Sequence, residues 1–429
     1  MQKFIYILIA TVLIWPVCII AQSPFQVYFG NLHSHTANSD GEGTPSQAFD
    51  YARDVAGLDF LAVTDHVEQI DILEWWNIKS VANSTTVDGT FVALAGYEWG
   101  SPLYGHCNQF NTNELLLEVG WFYTDWDGFR QWVIDNPPSL AQFNHPGDED
   151  YFVNWDDFEY HGAQSDSVFP LIEFQSIEQA TEWYEFALNK GWCLSPVWNQ
   201  DNHSANWGTK DDGRAGVWAT ALNKTALYDA IKKRRTFATM DKNASVWMDV
   251  CGYSMGNFVP RIYNSPVHIN LADEDTETWA TIELVSQNGV IASFSGATNQ
   301  FDTIIYVSPA FEDWIFIRVT QSDSDMLWSA PVFFTGIITD MNTPYIYSDD
   351  ISVFYDPINA GFVVIELSEN TEIINGDVTA EIITITGQCI KQLNINSNKT
   401  MVDISDIKHG VYFVRIFQKN TVIVKKMLK

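Results

Sequence analysis

The sequence predicts an α/β fold followed by two all-β units, and three observations predict it. From residue 25 to about 245, short apolar runs alternate with amphipathic segments of helical period; such alternation implies parallel strands joined by right-handed crossovers, hence a β/α barrel or a doubly wound sheet. Over 246–345 the helical period disappears, and VHINLAD, ATIELVS, VIASFSG, FDTIIYV and WIFIRVTQ alternate apolar with polar residues between turn signals, the pattern of an antiparallel β-sandwich. After the polar linker TDMNTPYIYSDD, residues 362–429 repeat the all-β pattern on a smaller scale in EIITIT, MVDIS, GVYFVRIF and TVIVKKML.

Taken in order, MQKFIYILIATVLIWPVCIIAQ sets Lys3 before an apolar run that ends at the small residue Ala21, which predicts a secretory signal peptide over 1–21. No later stretch approaches the ~18 to 20 apolar residues of a membrane-crossing helix, so no membrane span is expected. Strand-like runs follow at VYFGNL, LDFLAVT, FVALAGYEW, AQFNH, PLIEFQ, CLSPVW and GVWATA. Between them TPSQAFDYARDVAG offers Thr44 as N-cap, Pro45 at the first helical position, Phe49, Ala52 and Ala56 along one face and Gly57 as the stop. DWDGFRQWVID, SIEQATEWYEFALNKG and KTALYDAIKKRR are the other predicted helices.

The formal net charge is −31, and it is concentrated in residues 22–354, where 14 Lys and Arg face 46 Asp and Glu. Such a body repels nucleic-acid backbone at long range, so no nucleic-acid polymer is expected as a partner. A small anionic ligand stays open, because bound divalent cations reverse the sign locally. Cys107, Cys193, Cys251 and Cys389 are scattered singly and make no disulfide framework. Cys107, though beside a histidine, reads as a small buried side chain.

The chemistry begins in NLHSHTANSDG, residues 31–41. Residues two apart on an extended strand point the same way, so His33 and His35 present both imidazoles to one side. Asp201 and His203 repeat that spacing after CLSPVWNQ. Alone, either pair reads equally as a solvated loop, and Asp40-Gly41 is a good turn in its own right. The other candidates fall at strand ends: Asp65 and His66 after LDFLAV, Glu98 in GYEW, His106 at the next run, His145 in NHP. Strand ends on one face of a β/α sheet bring remote side chains together. Imidazole with carboxylate suits zinc, manganese or iron, and a cluster this rich predicts two or three ions, with water activated as nucleophile between them. Asp65 reads as a residue that orients a ligand rather than as a ligand. His161, His268 and His409 match no part of this pattern.

HSHTANSDG, TDH, GYEW with His106, NHP and QDNH resemble the signature series of the polymerase and histidinol phosphatase (PHP) superfamily, metal-dependent phosphoesterases on a distorted, seven-stranded β/α barrel. His33, His35, Asp40, His66, Glu98, His106, His145, Asp201 and His203 fill that family's nine ligand positions in order. The resemblance covers residues 25–245. It implies one ion on His33, His35, Glu98 and Asp201, a second on Glu98, His106 and His145, and a third on Asp40, His66 and His203. It also implies Glu98, Asp65 and His203 as catalytic residues and a small phosphorylated substrate. RAGVWATALNKTALYDAIKKRRTFAT looks like the barrel end of secreted members akin to carbaryl hydrolase, which keeps carboxylic and carbamic esters open as substrates. A binding or adhesion protein with a structural metal cluster is the reading from another class.

Arg235 ends a predicted helix, where a cation complements the helix dipole; the sharper expectation is that Arg235, or Arg214 after His203, binds an anionic substrate group. Trp75, Trp76, Trp99, Trp198 and Trp207 flank the motif loops and read either as core or as pocket walls. In the last block ITGQCIKQ, ISDIKHGVYFVRIF and TVIVKKMLK, with Gly387, Gly410, Tyr412, Lys425 and Lys426, resemble the type A sorting domain of the type IX secretion system of Bacteroidetes. That resemblance implies export through the periplasm of a Gram-negative bacterium, with the type IX machinery as partner and the domain removed at the outer membrane. A carbohydrate-binding or adhesive β-module is the other reading of this block.

Overall fold

The computed structural model describes residues 25–117, 124–148, 153–262, 265–309, 312–335 and most of 351–428. The expected signal peptide over 1–21, the linker 339–350, Gly387, His409 and Gly410 lie outside the described residues. The first region runs β1 (Gln26–Asn31), α1 (Pro45–Asp54), β2 (Phe60–Val63), α2 (Ile72–Thr85), β3 (Val92–Ser101), β4 (Gly105–Phe110), α3 (Trp126–Asp135), β5 (Leu140–Asn144), the single turn α4 (Trp155–Phe158), α5 (Ala163–Val168), β6 (Leu171–Phe174), α6 (Ile177–Asn189), β7 (Ser195–Trp198), β8 (Arg214–Ala219), α7 (Lys224–Lys232) and β9 (Thr236–Thr239).

The strands hydrogen-bond in the order β9-β8-β1-β2-β3-β4-β5-β6-β7. Thr236 Oγ1 bonds Ser195 Oγ at 2.8 Å and Pro196 O at 3.0 Å, so the run curls until β9 lies against β7. β1, β2 and β3 are parallel, as are β5, β6 and β7. The expectation of parallel strands throughout is corrected at two places. β4 is antiparallel to both β3 and β5, because the three residues between β3 and β4 are too few for a crossover and force a hairpin. β8 and β9 also run antiparallel to their neighbours.

The central strands are buried on both faces, as covered parallel sheets require. Phe60 and Ala62 of β2 join Leu32, Leu94, Leu140 and Val197 in a core inside the curl; Leu61 and Val63 point the other way, to Phe49, Trp75 and Ile78 beneath the helices. Thr44 caps α1 as expected, accepting from Gln47 N while Gln47 Oε1 accepts from Thr44 N at 2.9 Å. The helix closes at Val55, and Gly57 turns the chain two residues later at φ +67°.

Ten further strands follow: β10 (Ser245–Val250), β11 (Tyr253–Ser254), β12 (Phe258–Pro260), β13 (Ser265–Ala272), β14 (Trp279–Ser286), β15 (Gly289–Ala297), β16 (Gln300–Val307), β17 (Trp314–Gln321), β18 (Met326–Ser329) and β19 (Val332–Thr335). One sheet is β11-β10-β13-β16, and the remaining strands continue the first region's sheet, with Leu327 of β18 opposite Thr239 of β9. The two regions therefore share a hydrogen-bonded seam. Near the C-terminus, Ile351–Tyr355, Phe362–Leu367 and Lys399–Asp403 form one antiparallel sheet. Cys389–Asn394, Val378–Thr384, Val411–Gln418 and Thr421–Leu428 form another, and the two share a core of their own around Val363, Ile365, Ile382 and Val414.

Candidate metal centre

Leu32, His33, Ser34 and His35 follow directly on β1, Ser34 bridging Asn202, and neighbouring strand ends fix that segment. Asn199 Oδ1 accepts from Leu32 N at 2.7 Å, Asn202 O accepts from His35 N at 2.8 Å, and Ser34 O accepts from Thr64 N at 2.8 Å. Gly41 is required behind it, since a Cβ there would lie 2.7 Å from the His35 carbonyl carbon and 2.8 Å from Thr36 N. His145 leaves β5 at φ 30° and Asp201 follows β7 at φ 46°. Both are non-glycine residues in the left-handed region, a conformation that costs ~1 to 3 kcal/mol and is retained where it aims a side chain.

All nine expected ligand residues come to one end of the sheet. His33 Nε2 and His35 Nε2 are 3.1 Å apart, and each lies near Asp201 Oδ1, at 3.2 and 3.1 Å. Glu98 presents Oε1 to His33 at 3.3 Å and Oε2 to His35 at 3.4 Å. Tetrahedral coordination with ~2.0 Å bonds places its ligand atoms ~3.3 Å apart. The separations among His33, His35 and Asp201, and of Glu98 Oε1 from His33 and Oε2 from His35, are each close to that edge length. A second group forms where Glu98 Oε1 meets His106 Nδ1 at 3.2 Å and His145 Nε2 at 3.4 Å. A third joins Asp40 to His203 Nε2 at 3.3 Å and to His66 Nε2 and His35 Nδ1, both at 3.6 Å. His35 therefore turns one ring nitrogen to the first group and the other to the third, a sharing the sequence reading did not include.

Glu98, 1% exposed, has five of the six imidazoles within 3.2–3.4 Å. Burial pushes its carboxyl up, but the adjacent His33 and His106 outweigh that and hold it well below the usual range. Asp201 is lowered by the same balance, burial opposed by His33 and His35. Burial opposes a charge on His33, yet the carboxylates of Asp201, Glu173 and Glu98 raise it well above its ordinary value. His35 is raised to about 9 against burial by Asp201 and Glu98. His66 goes the other way, to about 4, because burial outweighs Glu98 and Asp40 there and nearby His35 and His106 add to it. Buried imidazoles and carboxylates charged in this way compensate one another, and the same donor set suits divalent cations.

Asp65 is buried among the centre's loops, but it does not bond an imidazole. Its oxygens accept from Thr36 N, Thr36 Oγ1 and Ser39 Oγ at 2.6–2.7 Å, so it pins the loop that carries Asp40. The carboxylate that orients a ring is Glu173, which the sequence reading missed. Its oxygens lie 3.0 and 3.1 Å from His33 Nδ1, and Oε2 also accepts from His145 N at 3.0 Å. A carboxylate at the centre of the apolar run PLIEFQ was the signal. Asn144 Nδ2 donates to Glu98 Oε1 at 2.7 Å and fixes the bridging carboxylate.

Neither expected substrate-binding arginine reaches the cluster. Arg235 lies at the far end of the sheet, beside Trp218, which pairs with Val27 near the start of β1. It bonds Trp218 O and Asp229 and stacks 4.4 Å from the Phe25 ring. Arg214 stands at the correct end but is 3% exposed and spent on the carbonyls of Asp211 and Gly213. Trp75, Trp99, Trp198 and Trp207 are core residues, and only Trp76 is exposed among the five. Trp207 Nε1 also donates to His35 O at 2.9 Å. Cys107 is fully buried.

No curated protein matches the chain. Among solved structures it resembles a two-domain protein from Bacteroides vulgatus described as containing a predicted PHP-like metal-dependent phosphoesterase, at 15% identity and TM-score 0.43 over 72% of this chain and 96% of that one. It also resembles a lesion-specific endonuclease from Pyrococcus furiosus, at 12% identity and TM-score 0.36 over 48% of this chain and 56% of that one. Both scores lie below one half, so the architecture rests on the strand order and register above. Residues 356–429 match the family model of the secretion system C-terminal sorting domain. That segment is a type IX sorting domain, and the protein that carries it is exported to the cell surface or the extracellular space.

Proposed function

We propose that the chain is an exported metal-dependent hydrolase of phosphate esters, built on a PHP-type distorted barrel over residues 25–245. The supporting observation is that His33 and His35 turn Nε2 atoms 3.1 Å apart toward Asp201 Oδ1 at 3.1–3.2 Å and toward the two oxygens of Glu98 at 3.3–3.4 Å, separations close to those between neighbouring ligands of a cation. These four would hold one ion, Glu98, His106 and His145 a second, and Asp40, His66 and His203, with His35, a third. Bound there, divalent cations supply Lewis acidity and a water ionised near neutral pH. Three abutting groups suit a phosphoryl centre, which offers several anionic oxygens where a carbonyl offers one.

The chain's own residues set the geometry. Glu173 accepts a hydrogen bond from His33 Nδ1–H and so keeps the proton on that nitrogen, which leaves the Nε2 lone pair facing Glu98 and Asp201. Asn144 and five imidazoles keep Glu98 ionised and fixed. Asp65 holds the Thr36–Ser39 turn, which sets Asp40 at the rim. His203 is the most exposed of the six imidazoles, at 40%, and we assign it to protonating the leaving oxygen in the form that holds two ions. The sandwich region over 246–345 supports the barrel, and the sorting domain is removed on export.

The test uses protein stripped of metal and reloaded with manganese or zinc, assayed on nitrophenyl phosphate, bis-nitrophenyl phosphate and nitrophenyl acetate side by side. Metal-dependent release from a phosphate ester is expected. Turnover of the acetate alone, or of none, overturns the assignment.

A further inference from the structure

A second group of acidic side chains lies away from the histidines, at the seam between the two regions. Asp241 follows β9, Asp273 follows β13, and Glu277 precedes β14. Three carboxylate oxygens, one from each, lie within 4.8 Å of one another. Asp241 and Asp273 are 7% and 1% exposed. Among the described residues no lysine, arginine or histidine lies within ion-pair distance of any of the three; Arg214 acts on Asp241 only at longer range.

Gln321, the last residue of β17, points into this cluster. It is 1% exposed, and its Nε2 reaches Asp273 Oδ2 at 2.8 Å and Asp241 Oδ2 at 3.4 Å. Its Oε1 is buried without a hydrogen-bond partner, as are Glu277 Oε2 and Asn243 Oδ1. A buried, unpaired acceptor costs ~1 to 3 kcal/mol, and among the described residues Gln321 Nε2 alone is the side-chain donor to the carboxylates of the two buried aspartates. A half-turn of the Gln321 amide puts Oε1 where Nε2 stands, facing both aspartates.

We propose that Asp241, Asp273 and Glu277, with the amide oxygen of Gln321, hold a calcium ion that ties β9 to both sheets of the sandwich region. An all-oxygen set selects a hard cation. Calcium bonds of ~2.3 to 2.6 Å place opposite oxygens up to ~5 Å apart, whereas magnesium needs ~2.0 to 2.1 Å and rigid octahedral geometry. The other oxygens of Asp241 and Asp273 are already fixed by Ala244 N and Asp275 N at 2.9 and 2.7 Å, so the ligand loops are ordered in advance. Export places the site where calcium is abundant, which suits the ~10⁻⁴ to 10⁻³ M affinities of extracellular modules. The His33 centre plays no part in this site.

The test uses the full chain with its histidine centre metal-loaded, dialysed free of calcium, then titrated with calcium or magnesium chloride and, separately, with terbium chloride. Calcium at about 100 times its dissociation constant should raise the melting temperature by roughly 5 to 10 °C, and magnesium at equal concentration should not. Terbium luminescence excited through tryptophan, with Trp279 two residues from Glu277, should appear and be displaced by calcium. Glu277→Gln should weaken calcium binding by at least about tenfold; Asp273→Asn should abolish it, and His33→Ala should leave it intact. The partly exposed Glu277 makes its variant the arm that folds if Asp273→Asn does not. An absent calcium response in the parent chain, an undiminished one in Glu277→Gln, or one lost in His33→Ala overturns the proposal.

Discussion

At the scale of single residues, the centre is a problem in charge placement, with Glu98 enclosed by imidazoles and His33 enclosed by carboxylates. Glu173 decides which nitrogen of His33 carries the proton. Glu173→Gln keeps the shape but removes the charge, and the amide can turn either its oxygen or its nitrogen to Nδ1. Metal affinity should fall by about 10 to 100-fold, measured as metal retained against a graded chelator, with the melting temperature of the metal-free form lowered only modestly. The metal-free protein also carries a pH signature. His33 and His35 are raised, His35 to about 9, so their stabilisation is complete below the ordinary 6.5 and is lost as pH climbs through 9. His66 is lowered to about 4, so its contribution is present above 6.5 and is lost as pH falls toward 4. Thermal melts of chelated protein should therefore peak near pH 6.5 and decline on both sides. Metal loading displaces the imidazole protons and should flatten the alkaline limb.

At the scale of elements, the hairpin of β3 and β4 does what no loop does, because it sets Glu98 and His106 on paired strands at a fixed register. Gly100 lies opposite His106, and a Cβ on Gly100 would stand 2.8 Å from His106 Nε2. Gly100→Ala should push that imidazole off Glu98 at little cost to the strand. Bound metal should drop by one equivalent and turnover by at least ~10-fold, while stability changes by less than ~1 kcal/mol; elemental analysis beside a denaturant melt reads both. This hairpin was hard to see in the sequence. GHCNQF is polar yet almost wholly buried, because its side chains serve the site and its supports, and so it shows neither strand alternation nor an apolar run. α2 was missed for the opposite reason. Leu73 and Trp76 are exposed at 73% and 59% opposite buried Trp75 and Ile78, and apolar residues on both faces erase the helical period. Elements with a stated cap and one apolar face, such as α1, were legible. The convergence of candidate residues was legible because strand ends meet on one face, and the full set of nine because it resembles the PHP series, but Glu173 was not, since a buried carboxylate inside a strand becomes meaningful only once its partner imidazole is in place.

At the scale of the whole molecule, the sorting domain has a hydrophobic core separate from those of the first 335 residues. The rest of the chain is strongly acidic, with 14 Lys and Arg against 46 Asp and Glu over residues 22–354. Even three bound dications offset only a small part of that charge, and neither Arg214 nor Arg235 turns its guanidinium to the mouth. An approaching phosphate ester therefore meets a repulsive far field and an attractive near one. Salt separates the two by range: the screening length shrinks from ~30 Å at 0.01 M to ~8 Å at 0.15 M ionic strength, which removes the distant repulsion and leaves direct contacts at the metal group largely intact. KM for an anionic phosphate ester should fall severalfold across that interval at constant kcat, the reverse of the trend for an enzyme that steers its substrate with surface arginines. A neutral aryl ester measured in parallel should show no such change. A KM that rises with salt would mean that the field at the mouth is positive, and that cationic side chains not identified at the centre reach the substrate.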